Sequence, residues 1–235
     1  MIKADTRLIV PLDLPTADAA RAMVATLGEQ VSFYKIGLEL LATDGMALAR
    51  ELKAQGKDVF LDWKLHDIGE TVRRAAAALA GSGCDLLTVH AEPQVMAAAV
   101  AGRGAGSGLK ILAVTVLTSL TDADLVELGS AFNARDLVER RIGQAIDAGV
   151  DGIVSSPHEA ALARKIAEAR GAADFLIVTP GVRPAWSARN DQARAAAPAD
   201  ALAAGATHLV CGRPITAAAD PREAARRVIE EMAGA

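Results

Sequence analysis

Val59-Phe60-Leu61-Asp62-Trp63-Lys64-Leu65-His66-Asp67-Ile68 begins as the apolar run of a buried strand, then places Asp62, Lys64 and Asp67 where that strand should end. Side chains alternate along a strand, so Phe60, Asp62 and Lys64 share one face while Val59, Leu61 and Trp63 share the other. Asp67 falls in the loop beyond. A buried ion without a partner is strongly destabilising, so acid and base this close together are tolerable only as an alternating, mutually paired array. Packing does not ask for such an array, and the stretch therefore marks a functional centre at the end of a buried strand.

Working outward, seven further apolar runs bounded by turn residues accompany residues 59–64. They are 8–13, 33–37, 86–90, 110–116, 152–155, 175–180 and 208–212. Between them lie Ala-rich amphipathic stretches such as 17–27, 45–55, 71–80, 134–148 and 158–169. Strand and helix alternating eight times predict a single (β/α)8 barrel, an α/β fold of the TIM-barrel type, over residues 1–235. A doubly wound open sheet is the alternative, disfavoured because eight units fill the chain and no G-x-G-x-x-G follows the first strand. In a barrel the carboxyl ends of all strands meet at one face. Asp13 ends the first run, Lys35 lies in the second, Asp62 and Lys64 end the third, and His90 ends the fourth. Thr118 follows the fifth, Pro180 ends the seventh, and Gly212-Arg213 closes the eighth.

A hydrophobic share of 51% over 235 residues suffices for a large core. The net charge of -4 with only 3% aromatic residues argues against a nucleic-acid surface. No window reaches the ~18 apolar residues of a membrane span. Cys84 and Cys211 sit in or beside apolar runs without metal-ligand spacing and read as buried thiols, which suits a reducing cytoplasm. The expected partner is a small molecule.

Opposite charges ~4 Å apart attract by about 4 kcal/mol at an effective dielectric near 20, enough to keep Asp13, Lys35, Asp62 and Lys64 ionised at the barrel mouth. A fixed ammonium aimed at a carbon where negative charge develops stabilises that charge and can then deliver its proton. An aspartate beside it repels a substrate carboxylate and favours its loss. Gly212-Arg213-Pro214-Ile215, with Pro214 suited to a first helical turn, reads as a phosphate site. Residues 181–194, rich in Gly, Pro, Ser, Asn and Arg, read as a mobile loop able to close over that phosphate. No metal motif is present, and carboxylates interleaved with lysines make poor divalent-cation ligands.

Asp62-Trp63-Lys64-Leu65-His66-Asp67-Ile68, with Asp13 and Lys35 upstream and Thr179-Pro180-Gly181-Val182-Arg183-Pro184, Asp191-Gln192 and Gly212-Arg213-Pro214-Ile215-Thr216 downstream, closely resembles the orotidine 5'-phosphate decarboxylase family over nearly the whole chain. D-x-K-x-x-D alone is shared with other phosphosugar barrels; the ordered downstream motifs make the resemblance specific. It implies a cytoplasmic homodimer that converts orotidine 5'-phosphate to UMP and carbon dioxide in pyrimidine biosynthesis, without metal or organic cofactor. It implies Lys64 as the proton donor at C6, flanked by Asp62 and Lys35, and Asp67, Ile68 and Thr71 reaching into the neighbouring subunit's site. By the same resemblance Asp13 and Lys35 hold ribose hydroxyls and Thr118 the pyrimidine edge. Gln192, Gly212 and Arg213 hold the phosphate, Pro180 is among the substrate-binding residues, and Arg183 stands at the base of the closing loop. The chain departs from the family's common pattern with Gly69-Glu70-Thr71 in place of Pro-Asn-Thr, and with Trp63 where a smaller residue is usual. Trp63 is expected to face the helices, and Glu70 to add charge near a subunit interface.

Other readings stay open at this point. His90 is inward by parity with Thr88, either structural at the barrel mouth or a substrate contact. His66 reads as a loop residue orienting its neighbours, and His158 and His208 as structural. Glu39 and Asp44 suggest a metal, which Lys35 argues against. Trp186 is either a clamp or an exposed ring. A lyase or aldolase using a metal-bound enediolate needs an acidic ligand where Lys35 stands. A catalytically silent phosphate-binding barrel is the third possibility.

Overall fold

The computed structural model describes residues 4–187 and 196–234. Eight parallel strands pair in chain order and close, β8 returning to β1: β1 (Leu8–Pro11), β2 (Phe33–Ile36), β3 (Asp58–Leu65), β4 (Leu86–His90), β5 (Lys110–Val114), β6 (Gly152–Val154), β7 (Leu176–Pro180) and β8 (His208–Val210). Around them run α1 (Ala17–Leu27), α2 (Leu38–Leu41), α3 (Gly45–Ala54), α4 (Gly69–Ala80), α5 (Pro93–Arg103), α6 (Asp122–Glu127), α7 (Ala134–Asp147), α8 (Ala160–Ala169), α9 (Pro198–Ala203), α10 (Arg213–Thr216) and α11 (Pro221–Ala233). The (β/α)8 expectation holds. The ends of several apolar runs leave the ladder, because residues such as Asp13, Gly37 and Gly212 turn away to shape the mouth, whereas β3 runs on to Leu65. The stretch 158–169 opens as a 3-10 turn, Pro157–Glu159, before α8 begins.

Some helix starts are fixed by side-chain caps. Thr16, Asn133 and Asp220 accept from Ala19, Asp136 and Glu223 backbone N–H at the heads of α1, α7 and α11. Each such cap contributes about 1 kcal/mol.

Strand parity divides the apolar residues into two sets. Ile9, Phe33, Phe60, Leu86, Leu112, Val178 and Val210 form a buried cluster inside the barrel. Val59, Leu61 and Trp63 belong to the larger outer cluster between strands and helices, and Trp63 faces the helices as its parity implies. Two residues beyond the inner cluster, on the same faces, stand Pro11, Lys35, Asp62, Thr88, Val114, Pro180 and Gly212. The polar mouth thus rests on a dry apolar floor. Cys84 and Cys211 are buried free thiols, and burial pushes the Cys211 thiol up to about 12. Among the described residues, no helix is long and apolar enough to cross a membrane.

Candidate active site

A continuous charge row crosses the carboxyl ends of the first three strands. Lys35 Nζ lies 3.0 Å from Asp13 Oδ1 and 3.2 Å from Asp62 Oδ2, and Lys64 Nζ lies 2.8 Å from Asp62 Oδ1. The Lys35 and Asp62 side chains are only 10% and 14% exposed, so their mutual pairing is what makes their burial tolerable. Burial alone would push the Asp62 carboxyl up. The ammonium groups of Lys35 and Lys64 outweigh it and hold that carboxyl below the usual carboxylate range.

The register between β3 and β4 passes from Leu61–Leu87 to Leu65–Val89, leaving Asp62, Trp63 and Lys64 opposite Thr88 alone. Lys64 absorbs the irregularity with a left-handed backbone, φ 48°, the only such non-glycine among the described residues. A conformation of this kind costs about 1–3 kcal/mol and persists only where the surroundings over-determine it. Thr88 takes up the polar groups the irregularity exposes. Its Oγ1 accepts from Lys64 backbone N–H at 3.0 Å and lies 3.0 Å from Asp62 Oδ1.

A cavity of about 410 Å³ opens over the row. Asp13, Lys35, Asp62, Lys64, Thr118, Pro180, Arg183, Gly212 and Arg213 line it, so nine expected site residues from across the chain converge. Pro11, Phe60, Val114, Val116, Leu117, Val154 and Val210 supply the apolar wall. Two lysines and two arginines against two aspartates leave the lining two charges positive, which suits an anionic ligand. Arg183 is buried and Gly212 caps the short helix α10.

The cavity does not include every expected residue. Asp67, Ile68 and Thr71 are exposed on the β3–α4 loop and the first turns of α4, outside the cavity of their own subunit. Gln192 lies outside the described residues, as does part of the expected closing loop at 181–194. The flanks of that segment meet through a bridge between Val182 and Ala196. Trp186 is neither clamp nor free ring: it packs against the outer core with the Arg227 guanidinium 4.2 Å from its ring centre. His90 does not line the cavity. Its ring lies 4.9 Å from that of His66, whose Nε2 is 3.7 Å from Glu92, so the two histidines brace the β3 and β4 ends. Glu70 is bound by Arg73 and Arg74 of its own helix, which hold its carboxyl down at about 2.

Sequence reading missed two contributors. Thr88 entered only through its parity, although the same parity puts it one layer above Leu86 and beside Asp62. Gly37 gave no signal, because the group it must avoid belongs to another strand's end: a Cβ there would stand 2.6 Å from Asp13 Oδ1.

Residues 6–228 match the model of the orotidine 5'-phosphate decarboxylase / HUMPS family. An orotidine 5'-phosphate decarboxylase of Caulobacter vibrioides (strain NA1000 / CB15N) is 78% identical over 231 residues, 98% of this chain and 99% of the relative. One from Rhodopseudomonas palustris (strain BisB5) is 55% identical over 229 residues, 97% of this chain and 95% of the relative. The crystal structure of orotidine 5'-phosphate decarboxylase from Lactobacillus acidophilus is similar with a TM-score of 0.82 at 35% identity, covering 97% of this chain and 99% of that one. The family match begins before β1 and ends beyond β8, so it takes in every strand that carries the charge row: the chain belongs to the orotidine 5'-phosphate decarboxylase / HUMPS family.

Proposed function

We propose that the row Asp13–Lys35–Asp62–Lys64 is the machinery with which this chain converts orotidine 5'-phosphate to UMP and carbon dioxide, the closing step of UMP synthesis. The observation that carries this reading is Asp62 held ionised between two ammonium groups, at 3.2 and 2.8 Å, on the floor of a positively charged cavity. The bond from C6 to the substrate carboxylate breaks heterolytically, its electron pair stays on C6, and carbon dioxide leaves. Lys64 Nζ stabilises the developing carbanion and delivers a proton to it, giving UMP, and the neutral amine then recovers a proton from solvent. Asp62 faces the departing carboxylate, while the apolar wall lowers the local dielectric and favours the uncharged product.

Asp13 and Lys35 hold the ribose hydroxyls, Thr118 the pyrimidine edge, and Gly212, Arg213, Arg183 and Gln192 the phosphate end, with Pro180 in the wall. Binding energy from the phosphate is available to organise the reacting end. No cofactor is assigned: the Lys35 ammonium occupies the position between two carboxylates that a divalent cation would need, which weighs against an enediolate lyase or aldolase.

The active unit is a cytoplasmic homodimer in which Asp67, Ile68 and Thr71 complete the partner's site, one barrel domain per subunit. Exposure of Ile68 (73%) after β3 and of Leu38 (55%) after the neighbouring β2 supports an apolar contact at this end. No nucleic acid or membrane partner is assigned. The direct test is the fall in ultraviolet absorbance of orotidine 5'-phosphate with purified protein, with and without a chelator. A fast, chelator-insensitive fall is expected. No change with UMP still bound would leave a phosphate-binding barrel without the chemistry.

A further inference from the structure

Thr88 is fully buried at the fourth inward position around the mouth, and the cavity does not include it. Its hydroxyl nevertheless touches both residues on which the proposed proton transfer depends. A threonine hydroxyl has one proton to give and two lone pairs to accept with. Here it accepts the Lys64 backbone N–H at 3.0 Å, and its own proton has Asp62 Oδ1 at 3.0 Å as the near acceptor, Leu61 carbonyl O being at 3.5 Å. The first of these contacts stands in for a ladder bond. Three residues of β3 face one residue of β4, so the Thr88 backbone cannot serve them all, and its side chain serves Lys64 instead. The second contact adds a neutral donor to a carboxylate otherwise held by Lys35 and Lys64.

We infer that Thr88 is a positioning residue: its hydroxyl fixes the left-handed turn at Lys64 and the rotamer of Asp62 together, and so sets where the Lys64 ammonium points. This rests on Lys64 being the proton donor. Without the hydroxyl, the Lys64 N–H loses its partner in a buried place, and the strained backbone has a reason to relax. The ammonium and carboxylate would remain present but no longer be held at the reacting carbon. A misplacement of about 1 Å is enough to cost on the order of 100-fold in rate.

The test compares Thr88→Val, which keeps the shape and removes the hydroxyl, with Thr88→Ser, which keeps the hydroxyl. Thr88→Val is expected to lower kcat by about 10- to 100-fold, with KM and UMP affinity within about threefold of wild type, since the phosphate grip is untouched. Thr88→Ser is expected to recover kcat to within about threefold. If Val disturbs folding, Thr88→Ala carries the same expectation. Wild-type kcat in the hydroxyl-free variant, or equal loss in Thr88→Ser, overturns the inference. Lys64→Ala measured alongside keeps the two readings apart. Near-normal turnover there overturns the donor assignment and this inference with it, whereas a dead Lys64→Ala beside a fully active Thr88→Val overturns only the role of Thr88.

Discussion

A Cβ at Gly37 would stand 2.6 Å from Asp13 Oδ1, closer than real side-chain contacts come, and 3.1 Å from Lys35 Nζ, a tight contact. The first ion pair of the charge row therefore exists because the residue that follows β2 has no side chain. Gly37→Ala should push Asp13 away from Lys35 and loosen the end of the site proposed to hold the ribose. We expect KM for orotidine 5'-phosphate to rise about tenfold, one to two kcal/mol, the worth of a partly exposed charge-assisted hydrogen bond, with the melting temperature shifting by only a few degrees. Steady-state kinetics settle it, and an unchanged KM would mean that the Asp13–Lys35 pair does not hold substrate.

Lys64 and Arg213 line the same cavity and should fail in different ways. Lys64→Ala removes the proposed proton donor, so kcat should drop by about 10⁴-fold or more while UMP affinity stays near wild type. Arg213→Ala should weaken UMP binding by about 30- to 100-fold and lower kcat/KM by at least as much, as loss of the proposed charge-assisted phosphate contact predicts. Binding titrations with UMP beside turnover measurements distinguish them. Equal loss of UMP affinity in both variants would contradict the division of labour.

Much of this site was readable from the chain because two rules carry most of it. Inward parity puts Lys35 above Phe33 and Asp62 above Phe60, and barrel closure brings those strand ends to one place, so charged residues at apolar run ends announce themselves. What stayed hidden depends on pairing between strands. The left-handed φ of Lys64 comes from three β3 residues facing one on β4, a register that neither run contains by itself. Thr88 is hidden for the same reason, because a threonine in a strand is ordinary until its neighbour strand slips. Gly37 looks like a loop glycine until Asp13 is seen to occupy its missing side chain's space. The histidines read as bracing or structural residues, but their partners could not be read, because those lie on other parts of the chain: His66 leans on His90, and His208 sits edge-on to Phe33 at 5.9 Å.

His208 gives the fold a pH dependence at the opposite end of the barrel from the cavity. Burial holds its imidazole down at about 4, with Lys110 and Arg7 acting in the same direction and Asp5 against them. The neutral ring is therefore favoured in the folded state, whereas the unfolded chain protonates near pH 6.5. Its stabilising contribution is complete above pH 6.5 and is lost as pH falls toward 4, amounting to about 2 kcal/mol of loss by pH 5. His90, held down first by burial, acts in the same sense. Urea unfolding at pH 7 and pH 5 should show this slope, and His208→Gln should flatten it without altering kcat at pH 7. An equally steep slope in the variant would assign the dependence to other groups.

Ile68 is the most exposed large hydrophobic among the described residues and directly follows Asp67, whose carboxylate accepts the Ile68 backbone N–H rather than entering its own cavity. Burying an isoleucine contributes about 1.5–3 kcal/mol, and a two-fold interface counts it twice. Ile68→Glu should therefore weaken the proposed homodimer by more than about 100-fold, because it also places a carboxylate from each subunit in the proposed contact. The barrel itself should stay folded, since this side chain supports no part of the core. Turnover per chain should become concentration-dependent, falling at nanomolar protein as the proposed contribution of Asp67 and Thr71 to the partner's site is lost and recovering at high concentration. Asp67→Asn should instead lower turnover while leaving the dimer intact. Sedimentation velocity paired with dilution kinetics reads both. A monomeric Ile68→Glu with full turnover at every concentration would place the whole active site within one subunit and remove Asp67 from the mechanism.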